Sequence, residues 1–109
     1  MKTRYYFILV ALAEGDRHGL AIARAVQELS EGGVRLWPAT LYGSLEDLLE
    51  RGWIEEVEGA RRRPADESEK KRVYRLAKAG HRALKAETER MASLVKVARS
   101  RLKPRGAAW

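Results

Sequence analysis

The chain contains no cysteine. That excludes a disulfide framework, a thiol redox switch and a thiolate metal site. Histidine occurs only twice, at His18 and His81. No carboxylate stands at the spacing of a third ligand, so neither a metal site nor a cofactor is expected. A glycine-rich phosphate loop and a nucleophile–base pairing are also missing. No catalytic residue is expected, and the chain does not read as an enzyme. Long apolar runs are absent too. The longest, from Tyr5 to Ala13, has nine residues, about half of the roughly 18 needed to span a bilayer. Glu14-Gly15-Asp16 follows it in place of a small-residue cleavage site, which argues against a secretory leader. These absences predict a soluble, cytoplasmic protein with no membrane partner.

What is present fits one folded unit. Its 109 residues are 45% hydrophobic and 34% charged, the balance of a well-solvated globular domain. The net charge of +7 is unevenly spread: residues 1–57 carry −3 and residues 58–109 carry +10. A basic half is the footprint of a polyanionic partner. A long solvated helix rich in Lys and Arg would give the same figure without any partner.

The first helix is expected from Thr3 to Ala13, with Tyr6, Leu9, Val10 and Ala13 at helical spacing. A turn at Asp16 or Arg17-His18-Gly19, where His18 caps or packs, opens a second helix from Leu20 to Leu29. Its apolar face is Ile22, Ala23, Val26 and Leu29, and Ser30-Glu31-Gly32-Gly33 stops it. Val34 to Trp37 reads as a short extended piece, with Trp37 pushed toward β geometry by the proline after it. Pro38 suits the first turn of a third helix, where its missing N–H leaves nothing unpaired. Leu41, Leu45, Leu48 and Leu49 form that helix's buried stripe, and Arg51-Gly52 ends it. Trp37 is expected to shield its start, and Trp53 to pack where it meets the sheet.

Two short strands follow, from Ile54 to Val57 and from Val73 to Leu76, joined by a loop that carries Arg61-Arg62-Arg63 and Lys70-Lys71-Arg72. Helix, strand, basic loop, strand is the order of a winged helix-turn-helix. From Lys78 to about Leu102 a single helix runs roughly 37 Å. Leu84, Thr88, Met91, Val95, Ala98 and Leu102 recur at alternating four- and three-residue spacing, widened by Leu94. A helix this long overruns so small a domain, so part of its seam is expected to pack on a second copy. The predicted class is mainly α with a small β-hairpin wing (α+β). Residues 1–76 form the winged domain, 77–103 the dimerisation helix and 104–109 a flexible tail.

Four segments then carry a resemblance: Ile8-Leu9-Val10-Ala11-Leu12 with Gly15; His18-Gly19-Leu20-Ala21-Ile22; Thr40-Leu41-Tyr42 through Leu45 to Arg51-Gly52-Trp53-Ile54; and Arg72-Val73-Tyr74-Arg75-Leu76 with Ala79-Gly80 and Ala83-Leu84. In this order and spacing the chain resembles the PadR-like transcriptional regulators, in their shorter form with one C-terminal helix, over roughly Tyr5 to Met91. It departs from the family pattern at Gly43, where Pro is usual, at Asp47-Leu48-Leu49, and at Ala77, where a Thr commonly caps the last helix. The resemblance implies a homodimer that binds double-stranded operator DNA, usually as a repressor. It also implies that the dimer interface accepts small aromatic effectors in some members.

On that reading Ala39, Thr40, Tyr42, Gly43 and Ser44 present the third helix to DNA. Thr40 and Ser44 reach bases or phosphates, and Ala39 or the Thr40 methyl meets a thymine methyl. Tyr42 either gives its hydroxyl to a phosphate or sits half-buried in the crevice between helix and wing. Glu46, Asp47 and Glu50 are expected to face away from phosphate. Arg61, Arg62 and Arg63 suit a narrow minor groove, and Lys70, Lys71 and Arg72 the flanking backbone, unless they pair locally with Asp66, Glu67 and Glu69. Lys2 and Arg4 are further phosphate candidates. The dimer interface is expected to use Tyr6, Val10, Leu84, Thr88, Met91, Leu94, Val95, Ala98 and Leu102. An effector would lie among Tyr6, Val10, Met91 and Val95, unless these are simply dimer core. The rival reading is a protein-interaction module that uses the same fold without specific DNA binding.

Overall fold

A computed structural model describes residues 1–57 and 72–104. The hairpin tip, with Arg61, Arg62, Arg63, Lys70 and Lys71, and the tail from residue 105 lie outside the described residues.

The element order is α1 (Thr3–Glu14), β1 (Arg17–His18), α2 (Gly19–Leu29), α3 (Pro38–Glu50), β2 (Ile54–Glu56), β3 (Val73–Leu76) and α4 (Lys78–Leu102). The strands form an antiparallel sheet in the order β1-β3-β2. β1 was not expected. It has two residues and no apolar pattern, and it exists because its backbone pairs with β3, Arg17 opposite Tyr74 and His18 opposite Val73. His18 also closes the start of α2, its Nδ1 accepting the Ala21 N–H at 3.3 Å. The segment from Val34 to Trp37 forms no strand. Trp37 is extended, with φ −69° and ψ 157°, as the following proline requires.

One core joins α1, α2, α3 and the sheet. It contains Tyr5, Ile8, Leu9, Leu12, Ile22, Val26, Leu41, Leu45, Leu48, Ile54 and Tyr74. In α1 the buried side is Tyr5, Ile8, Leu9, Ala11 and Leu12; of the expected Tyr6, Leu9, Val10 and Ala13 only Leu9 is among them. All nine residues from Tyr5 to Ala13 are apolar, so periodicity cannot fix the face there, and tertiary packing does. In α2 the expected Leu29 lies outside the core, 48% exposed.

α3 starts on Pro38 and ends at Gly52, whose φ of +72° is the left-handed conformation that glycine adopts without a Cβ clash. In the hairpin, Ile54 pairs with Leu76, Glu55 with Arg75 and Glu56 with Tyr74. The Val57 N–H continues the ladder to the Val73 carbonyl at 2.8 Å. Glu55 and Glu56, which break the apolar alternation of β2, meet cations across the sheet. Arg75 reaches Glu55 at 2.7 Å and Arg72 reaches Glu56 at 2.8 Å.

The start of α4 is held at Gly80, which is buried against the Trp53 carbonyl. Ala77 supplies no side-chain cap; its own N–H donates to that carbonyl at 3.0 Å. Leu84 packs on the core. Tyr6 Oη and Thr88 Oγ1 lie 2.8 Å apart and tie α1 to α4. Past Met91 every residue of α4 is exposed, among them Leu94 (54%), Val95 (49%) and Leu102 (66%). Among the described residues no helix is long and apolar enough to cross a membrane.

Candidate nucleic-acid interface

α3 turns Leu41, Ser44, Leu45 and Leu48 inward. Ala39, Gly43, Glu46 and Glu50 stand on the opposite stripe, all exposed, with Thr40 exposed beside Ala39. The N-terminal half of the outer face is therefore small and uncharged, and the C-terminal half is acidic. Glu46 and Glu50 do not turn away from the stripe that carries Ala39 and Gly43, contrary to expectation. Helical periodicity places them there whatever their charge.

Three expected DNA contacts are engaged elsewhere. Ser44 is buried, its hydroxyl donating to the Thr40 carbonyl at 2.7 Å and accepting from Arg4 Nε at 2.9 Å. It holds α1 to α3 and offers nothing outward. Tyr42 is half-buried and packs its ring on Gly19 of α2. A Cβ at Gly19 would lie 3.0 Å from its Cε1. The Tyr42 hydroxyl is buried and has no hydrogen-bond partner among the described residues, so it does not face a phosphate. Arg72 places Nε and a terminal nitrogen on one Glu56 oxygen, at 3.0 and 2.8 Å, and lies over the Tyr74 ring. A carboxylate across the strand at hydrogen-bond distance holds it against the sheet.

Trp37 does not shield the start of α3 either; it is 67% exposed. With Leu20, Arg24 and Arg35 it borders a groove of about 310 Å³. Val10 lines a second groove of about 330 Å³ between α1 and α2, with Ala11, Arg17, Arg24 and Leu29. Tyr6, Met91 and Val95 do not line that groove.

At the other edge of α3, Asp47 accepts the Tyr5 hydroxyl and pairs with Arg51 at 3.4 Å. The phenol, first, and the guanidinium hold the Asp47 carboxyl below its usual range. The same bond to Asp47, with burial second, pushes the Tyr5 phenol up. Only the Asp47–Arg51 spacing was visible in the sequence. Tyr5 lies 42 residues away in the chain, and no local signal joins it to Asp47.

The family model of the PadR-like transcriptional regulators matches residues 8–86. The chain belongs to this family. It is a family of transcriptional regulators rather than of enzymes. Solved PadR-like neighbours share the architecture. A PadR family transcription regulator from Clostridium difficile superposes with a TM-score of 0.73 at 19% identity, covering 93% of this chain and 99% of its own. A transcriptional regulator from Clostridium thermocellum gives 0.70 at 24% identity, covering 91% and 92%. RosR of H. salinarum gives 0.67 at 29% identity, covering 85% and 76%. In sequence, an uncharacterized 37.1 kDa protein in transposon TN4556 of Streptomyces fradiae is 37% identical over 87 residues. That match covers 80% of this chain but only 22% of the longer relative.

Proposed function

We propose that this PadR-like chain is a cytoplasmic repressor that binds operator DNA as a homodimer. Family membership supports a DNA-binding regulator. The observation that carries the proposal further is the outer face of α3. At its N-terminal end, where a recognition helix meets base edges, Ala39, Thr40 and Gly43 are exposed and none is long or charged. DNA can therefore approach the helix closely, with Thr40 as hydrogen-bonding group and Ala39 as methyl contact. None of these supplies the bidentate readout that Arg or Asn gives, so most of the affinity falls to Arg61, Arg62, Arg63, Lys70 and Lys71. The exposed apolar end of α4, with Leu94, Val95, Ala98 and Leu102, supports pairing of two copies. A small aromatic effector belongs to this reading only as a modulator of the paired form.

Anisotropy titration with duplexes enriched from genomic fragments tests the proposal. Wild type should select an inverted repeat that survives near-physiological salt. Replacing Arg61, Arg62 and Arg63 with Ala should nearly abolish that binding and leave the dimer intact. Leu94→Glu should yield monomers in sedimentation and weaken operator binding through the lost second half-site. Binding that disappears with salt, with no enriched sequence, would refute specific recognition. The second reading, a protein-interaction module, is favoured by exposed Trp37 and Leu20 beside Arg24 and Arg35, since Trp and Arg are enriched at protein interfaces.

A further inference from the structure

Three cations that no sequence motif groups together meet at the start of α1. Lys2 Nζ lies 5.5 Å from the centre of the Tyr5 ring, the Arg4 guanidinium 5.2 Å and the Arg51 guanidinium 5.5 Å. Two bonds seat the cluster on α3. Arg4 donates to Ser44, and the Tyr5 hydroxyl donates to Asp47. Thr40, Ser44, Asp47 and Arg51 are four, three and four residues apart, so they share one side of the helix. The cluster thus flanks the stripe that presents Ala39, Thr40 and Gly43.

We propose that Lys2, Arg4 and Arg51, gathered on Tyr5 and anchored through Ser44 and Asp47, form a second phosphate-contacting surface for the backbone of duplex DNA. It rests on the DNA-binding reading above and adds residues to that surface. The charge balance supports it. Among the described residues the cluster sets three cations against one carboxylate, Asp47, which pairs with Arg51, while Arg4 is bonded to a neutral hydroxyl, so the cluster keeps a net positive charge. The Tyr5 ring orders the cations without neutralising them, because a π face attracts cations and carries no net charge. Asp47 then has a different meaning from the one its sign implies. A carboxylate on a recognition helix reads as repulsion of phosphate. Here it fixes the aromatic platform on which the three cations stand.

The test is the salt dependence of duplex binding, measured by anisotropy for wild type, Lys2→Ala, Arg4→Gln and Asp47→Asn. Each lost phosphate contact lowers the slope of log affinity against log salt by about 0.9, roughly 2 for a dimer. Lys2→Ala and Arg4→Gln should each show that drop, with affinity reduced by the same factor on every sequence. Lys2 is exposed at the chain start, so its variant reports on binding even if Arg4→Gln loosens the fold. Asp47→Asn makes the protein more positive, so simple repulsion predicts tighter binding, whereas the anchor predicts weaker binding. Unchanged slopes for both cation variants, or tighter binding by Asp47→Asn, would overturn the proposal while wild type still bound DNA. If wild type bound no duplex at low salt, the DNA-binding reading itself would fall, and this surface with it.

Discussion

Two helical glycines make opposite predictions for the same substitution. Gly80 lies in the first turn of α4, where a Cβ would stand 1.9 Å from the Trp53 carbonyl oxygen and 3.0 Å from Leu76 Cδ1. Real Cβ contacts are essentially never under 3.0 Å, so Gly80→Ala must move backbone by about 1 Å. Helix propensity alone favours the alanine by about 1 kcal/mol. Forcing a methyl into a packed site costs about 1–3 kcal/mol. The carbonyl that must move also accepts the Ala77 N–H, a bond worth about 1 kcal/mol. The net expectation is destabilisation by about 1–3 kcal/mol. Gly43, in the middle of α3, has nothing within 4 Å of its would-be Cβ. Gly43→Ala should therefore stabilise by about 0.4–1 kcal/mol. Urea denaturation at one fixed protein concentration measures both. The Gly80→Ala midpoint should fall by roughly 1 M for an m-value near 1–3 kcal/mol/M, and the Gly43→Ala midpoint should rise. A Gly80→Ala protein as stable as wild type would refute the close approach of α4 to the Trp53 carbonyl.

Two further substitutions test individual contacts. Tyr42→Phe removes a buried hydroxyl with no partner among the described residues, so stability should hold or rise by up to about 1 kcal/mol. Operator affinity should stay unchanged in the same titrations; a tenfold loss would show that the hydroxyl does reach a ligand. Asp47→Asn should give a pH-dependent difference in thermal stability. The Asp47 carboxyl is held down in the fold by the Tyr5 hydroxyl and then Arg51, so its contribution is full above the ordinary carboxylate pKa, about 4. It is lost as pH falls through the lower folded value. The melting-temperature gap between wild type and variant should be largest near pH 7 and close well below pH 4. A gap that persists at low pH would mean the amide disturbs packing rather than removing a charge.

The sequence marks clearly those elements whose ends have chemical causes. Pro38 and Gly52 bracket α3 because one lacks a donor and the other tolerates positive φ. The β-branched and aromatic run of β3 also stands out, as does the uninterrupted heptad pattern of α4. What stays hidden depends on partners distant in the chain. β1 is two polar residues, visible only once β3 lies beside them. Ser44 follows the exposed Gly43 on a helix, yet Arg4 claims it from 40 residues away. Arg72 is the last of a basic triplet that resembles a solvated patch, and only strand register shows that Glu56 holds it. The Tyr5 platform is the strongest case. Its anchor is an acidic residue that, in sequence, counts against the surface it helps to build.

α1 determines what can move in such a protein. Adjacent residues on a helix point about 100° apart, so Tyr5 and Tyr6 reach different neighbours. Tyr5 bonds to Asp47 on α3, and Tyr6 to Thr88 on α4. Ile8, Leu9 and Leu12 bury the same helix in the core, and Gly80 and Leu84 fix the first half of α4 to that core. α3 and the start of the long helix therefore form one packed body through α1. A ligand or partner that alters DNA affinity needs a coupling of only about 1–3 kcal/mol. Sliding α3 against α4 within one copy would break at least one of the tyrosine bonds and disturb the core. Past Met91 every residue of α4 is exposed, so in the proposed homodimer re-angling two copies there leaves each packed body intact. In the proposed homodimer, control of the spacing between two α3 helices thus falls to the segment after Met91 and to what covers Leu94, Val95 and Leu102.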